Sequence, residues 1–134
     1  MVSQLLVLRV IWAALLIGEL TFMIIVLKLG RNMNALPDPQ SLTIINGAML
    51  VTLIPAGIVV RRAVYAKGTI DGAVSPQAYT TGNIIFHVLC EGVAFFGLVI
   101  TMLSGQTGLA FAIALAAMAV QILNFPTGGP MQNR

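Results

Sequence analysis

The sequence predicts an all-α integral membrane protein of four transmembrane helices, arranged as two antiparallel hairpins. Three observations carry that expectation. Of the 134 residues, 58% are hydrophobic and only 8% are charged, whereas soluble domains carry about 25% charged residues. Mean hydropathy is +0.97. Finally, four apolar runs approach the roughly 20 residues that a spanning helix needs: Val10–Leu29, Leu42–Val60, Asn83–Leu103 and Leu109–Phe125. The length leaves room for one domain, divided into hairpin 1 at about residues 5–62, hairpin 2 at about 75–126 and a short tail over 127–134.

The first run is too long for the apolar core of a signal peptide and has no small-x-small cleavage pattern, so it reads as a retained first span. In "KLGRNMNALPDPQS", Gly30 suits a helix C-cap, and Asp38 followed by Pro39 suits an N-cap and first helical position. Pro55 should bend the second helix and free the carbonyl of Val51. The longest link, "RRAVYAKGTIDGAVSPQAYTTG", contains Ser75-Pro76, a helix start that would let the third helix project beyond the membrane before Asn83. Only "SGQTG" joins the third and fourth runs, which makes them antiparallel neighbours. Pro126 ends the fourth helix, and the tail after it is expected to be mobile.

A net charge of +3 does not point to nucleic acid, because the basic residues flank apolar runs. Arg9, Arg61 and Arg62 read as interface anchors. With Lys67 and Arg134 they outnumber Lys28 and Arg31 on the opposite side, so the positive-inside rule predicts cytoplasmic termini. The single Cys90 precludes an internal disulfide. A repeat is also visible: aligning Gly18 with Gly92 matches Ile11 with Ile85, Trp12 with Phe86, Leu15 with Leu89 and Phe22 with Phe96. With a small insertion, Pro55 and Gly57 match Pro126 and Gly128, as in a duplicated hairpin.

Glu19 and Glu91 are the residues that most need explaining. Each lies about ten residues into a helix, near 15 Å deep, where a charge costs roughly 2.5–3.5 kcal/mol on insertion scales. One reading makes them proton or ion sites. The plainer one makes each a neutral carboxyl bonded to a neighbouring helix. Asn83, His87 and Glu91 recur every four residues, with Cys90 three after His87, so all share one helix face. Zinc needs about four ligands, and the chain has one His and one Cys, so no metal site is expected. No cofactor is predicted either, although a lone His87 is chemically able to ligate haem or chlorophyll. The expected arrangement is a hydrogen bond between His87 and a protonated Glu91.

Asn46, Thr52, Gln121 and Asn124 are further candidates for bonds between helices. The fourth run carries two small-residue ridges, Ala110/Ala114/Ala117 and Ala112/Ala116/Ala119. Such ridges let backbones approach closely, and two exceed what one internal neighbour needs. They predict other membrane subunits, hetero- or homo-oligomeric, as partners besides the lipid bilayer.

The stretch "LCEGVAFFGLVI" resembles the carboxylate helix of the proteolipid c subunits of rotary ATP synthases, in which a buried Glu binds the transported ion. The resemblance covers about a dozen residues and implies that Glu91 carries an ion, with Glu19 a second candidate. It differs in placing both carboxylates on the first helix of a hairpin, in an Ala-rich rather than Gly-rich companion helix, and in the direction of the termini. The chain as a whole resembles small uncharacterised bacterial four-helix membrane proteins with an L-x-E-G stretch and a later F-P-T, here Leu89–Gly92 and Phe125–Thr127. That second resemblance implies a bacterial inner membrane and no particular activity. The function expected is therefore a non-catalytic, accessory subunit that stabilises a larger membrane complex, not an enzyme. The alternatives are a proteolipid-like ion-translocating or ring-forming protein, and an electron-transfer subunit that binds a cofactor through His87.

Overall fold

The computed structural model describes residues 2–30 and 35–132. Arg31, Asn34 and Arg134 lie outside the described residues, so the Arg31 and Arg134 terms of the charge count have no structural counterpart here. The chain forms α1 (Val2–Leu29), α2 (Pro39–Lys67), a small hairpin of β1 (Thr69–Ile70) and β2 (Ala73–Val74), α3 (Pro76–Ser104), α4 (Leu109–Leu123) and a 3-10 turn at Gly129–Met131.

Three of these helices are long and apolar enough to cross a membrane: Ser3–Leu29, Pro39–Lys67 and Pro76–Ser104. Their outer faces present Leu6, Val10, Ile17, Ile44, Val51 and Val59, which suits hydrocarbon rather than water and fits an integral membrane protein. α4 is different. Its 15 residues reach about 22 Å at 1.5 Å per residue, short of the roughly 30 Å hydrocarbon core. The run of apolar letters through Phe125 is longer than the helix: the Asn124 amide and side chain both bond the Val120 carbonyl, but the Phe125 amide turns to the Ile122 carbonyl, at 3.2 Å. Pro126 then disfavours helix at Phe125.

The two capped helix starts are as the sequence reads, whereas α1 already begins at Val2, ahead of the apolar run from Val10. Asp38 caps α2 by accepting from the Gln40 amide and the Ser41 hydroxyl. Ser75 caps α3 by accepting from the Ala78 amide, with Pro76 in the first turn. α2 continues through Pro55. Gly105 ends α3 in the left-handed region, at φ 68°, a conformation glycine adopts without penalty.

α3 is the hub, packing against α1, α2 and α4. Among the described residues α1 and α2 scarcely touch, so the first two helices do not pack as the expected hairpin. The main core explains why: Ile54 of α2, Phe86, Cys90, Val93 and Ala94 of α3, and Ile113, Ala117 and Met118 of α4 close on one another, with Leu16 of α1 at the edge. Small residues set the approach. A Cβ on Gly97 would stand 2.6 Å from the Ala110 carbonyl oxygen, and one on Gly57 3.2 Å from the Phe86 ring.

The tail is anchored rather than loose. Arg9 Nε donates to the Pro126 carbonyl at 3.2 Å, and the Gly128 amide donates to the Tyr79 hydroxyl at 3.0 Å. Met131 is buried with Leu8 and Tyr79. These contacts gather the start of α1, the end of α2, the start of α3 and the end of α4 at one end of the bundle. The expectation of a mobile tail fails because Phe125–Met131 carries its own anchors, a buried proline and a buried methionine.

Candidate functional site

The bundle interior holds an unusual amount of buried polarity. Glu19, Asn46 and Gln121 have no exposed surface, and His87 retains 1%. None of their side-chain polar atoms has a hydrogen-bond partner among the described residues. Buried polar groups are normally paired, and leaving one unpaired costs about 1–3 kcal/mol. These four side chains come one from each helix: Glu19 from α1, Asn46 from α2, His87 from α3 and Gln121 from α4.

Glu19 comes from α1 and lies within electrostatic reach of Glu91 and Cys90 on α3. The expected stripe on α3 is present, but its members do not bond one another. Asn83 gives its amide hydrogens to the Tyr79 carbonyl and the Tyr65 hydroxyl. Both ring nitrogens of His87 are unpaired, so the expected His87–Glu91 hydrogen bond is not formed. His87 instead packs edge-on to Phe86, with ring centroids 5.4 Å apart. Because its ring is enclosed, ligation of haem or chlorophyll there would require the surrounding helices to open.

The two carboxyls also differ from each other. Glu91 is half-buried, whereas Glu19 is fully enclosed. Among the described residues no three His, Cys, Asp or Glu side chains group as metal ligands.

Of the other candidates, the first Ala ridge is inside: Ala110, Ala114 and Ala117 are buried, with Ala114 and Gly97 at the α3–α4 crossing. The second ridge, Ala112, Ala116 and Ala119, is exposed. Thr52 bonds its own helix at the Ala48 carbonyl. Asn124 accepts from Arg61 Nη2 at 3.0 Å, and the Arg61 guanidinium lies 4.2 Å from the centroid of the Phe86 ring. Arg9 holds the tail and sits 5.3 Å from the Phe125 ring centroid. Arg62 is exposed.

Sequence reasoning overlooked three residues. Trp12 donates to the Gln121 carbonyl at 3.0 Å and packs edge-on to Phe125. Tyr65 and Tyr79 stack 5.5 Å apart at the Arg-rich end. An aromatic residue near a span end is an available signal for such anchoring. The chain matches no protein-family model, no curated protein and no solved structure.

Proposed function

We propose that this chain is a non-catalytic integral membrane subunit that packs into and stabilises a larger membrane assembly. In this reading α4 and the segment after it complete a fourth crossing, and the Arg-rich end with both termini faces the cytoplasm of a bacterial inner membrane. The observation that carries the reading is the division of labour on α4. One Ala ridge already serves the internal crossing at Gly97, while Ala112, Ala116 and Ala119 stay uncovered on the outer face. A second close-packing surface suits a neighbouring helix, since small residues let backbones approach.

Purification from native membranes in mild detergent tests this. The wild-type chain is expected to emerge in a complex with other membrane subunits. Ala116→Leu should release it from that complex without lowering its own thermal stability. Recovery of the chain alone, or full complex yield with Ala116→Leu, would overturn the proposal. A visible chromophore in the complex would favour the cofactor-binding alternative.

A second reading, a proton- or ion-handling protein of proteolipid type, is favoured by the complete enclosure of Glu19 on α1, which packs against the α3 helix that carries Glu91. It predicts a homo-oligomeric ring, and a proton flux in vesicles that Glu19→Gln abolishes while leaving assembly intact. Unchanged flux in Glu19→Gln would remove it.

A further inference from the structure

We propose that the cleft beside Arg61 and Arg62 binds the phosphate of an anionic phospholipid headgroup. The cleft measures about 360 Å³, within the roughly 300–1,000 Å³ of small-ligand sites. It is lined by Arg61 and Arg62, the hydroxyl-bearing Tyr65, Asn124 and the apolar Leu123, among others. Its depth suits a headgroup. Arg61 stands roughly 33 Å along α2 from Pro39 at about 1.5 Å per residue, close to the ~30 Å thickness of the hydrocarbon core. With Asp38–Pro39 entering at one face of the bilayer, the guanidinium emerges among the headgroups of the other.

The electrostatics point to an anion. Among the described residues no carboxylate lines the cleft. Arg62 has no hydrogen-bond acceptor among the described residues and is exposed, whereas Arg61 commits one nitrogen to Asn124 and stacks over Phe86. Those contacts hold one guanidinium in place while the other remains able to close on a ligand. A guanidinium presents paired N–H donors whose spacing matches phosphate oxygens. The Tyr65 oxygen already accepts from Asn83, which leaves its own proton to donate outward. Leu123, at 83% exposure, offers an apolar surface beside the cleft for the start of an acyl chain. A headgroup phosphate with attached chains satisfies both halves of this lining, and free phosphate satisfies only one.

The inference stands apart from the assembly partner and concerns the lipid alone. The full chain, purified in detergent, is heated with added phosphatidylglycerol, phosphatidylcholine or inorganic phosphate. Phosphatidylglycerol should raise the unfolding midpoint, and the other two should not. Arg62→Gln should raise the phosphatidylglycerol concentration needed for half the effect by about fivefold, the fold-change for one interfacial cation. Lys67→Gln, outside the cleft, should leave it unchanged. An equal response to phosphatidylcholine, or an unaltered response in Arg62→Gln, would overturn the site. Equal weakening by Lys67→Gln would reduce it to diffuse surface charge. Stabilisation by inorganic phosphate alone would refute the lipid as the ligand.

Discussion

Replacing Gly97 by alanine would put a methyl group where α3 and α4 leave no space. The new Cβ would stand 2.6 Å from both the Ala110 carbonyl oxygen and Asn46 Nδ2, and 3.1 Å from the Ala114 Cβ. Comfortable heavy-atom contacts lie near 3.5 Å, so the surroundings must retreat by roughly half an ångström or more. Asn46 has a side chain that can turn, but the Ala110 oxygen belongs to the backbone and moves only with α4. Overpacking of this kind costs about 1–3 kcal/mol. Alanine also gains about 0.8–1.0 kcal/mol of helix propensity over glycine, which masks part of the cost. Gly92, five residues earlier on α3, supplies the control, because nothing lies within 4 Å of its added Cβ. The propensity gain cancels between the two variants, so Gly97→Ala should be less stable than Gly92→Ala by about 1–3 kcal/mol. Reversible unfolding in denaturing detergent, followed by circular dichroism, measures that difference. Equal stabilities, or a more stable Gly97→Ala, would refute the close α3–α4 crossing.

Other expectations follow from the ends of the bundle. Tyr79→Phe removes the acceptor for the Gly128 amide and should cost about 1–3 kcal/mol, read as faster carboxypeptidase trimming of the tail; unchanged trimming would detach the tail from Tyr79. The Ser41 hydroxyl, helped by the Gln40 and Ser41 amides, holds the Asp38 carboxyl below its ordinary pKa of 3.8. A lowered folded-state value means the cap is at full strength above that pH and fades as the pH falls through the folded value. Hydrogen exchange in the first turn of α2 should accelerate over that acidic window, and a flat profile would show that the cap does not titrate. Finally, a cysteine engineered at Gln106 should be labelled by an impermeant reagent from outside the cell, and one at Gly72 should not. Native Cys90 is fully buried. The opposite pattern would invert the proposed orientation.

Much of the helical content was legible because apolar runs and capping residues act locally. Asp38-Pro39 and Ser75-Pro76 start helices through bonds to amides two or three residues ahead, a reach that letters along the chain display. The hairpin between α2 and α3 was equally local but went unread. "TIDGAV" places Asp71 at φ 51° and Gly72 at φ 81°, and Asp-Gly is a strong signal for a two-residue turn. What the letters did not display is which helix touches which. The helices are apolar on most sides, as lipid requires, so periodicity assigns them no inward face. That is why α1 packing on α3 rather than α2, the fate of the two Ala ridges and the contrast between Glu19 and Glu91 emerge only in three dimensions. The His87–Glu91 pairing failed for a related reason. Spacing by four puts two residues on one face, but it does not decide whether each turns toward the other or toward a different helix.

The central position of α3 also sets a timetable for synthesis. α1 leaves the ribosome first, yet the surface that receives it belongs to a helix that is not complete until Ser104. At about 5–20 residues per second, the stretch from Gly30 to Ser104 takes roughly 4–15 s to make. Throughout that interval Glu19 has no α3 to cover it, and α2 is not its packing neighbour. A newborn α1 with an uncovered carboxyl therefore completes its packing only after α3 has been made. Slowing elongation between α2 and α3 would lengthen that interval and expose the chain to membrane proteases before its hub arrives.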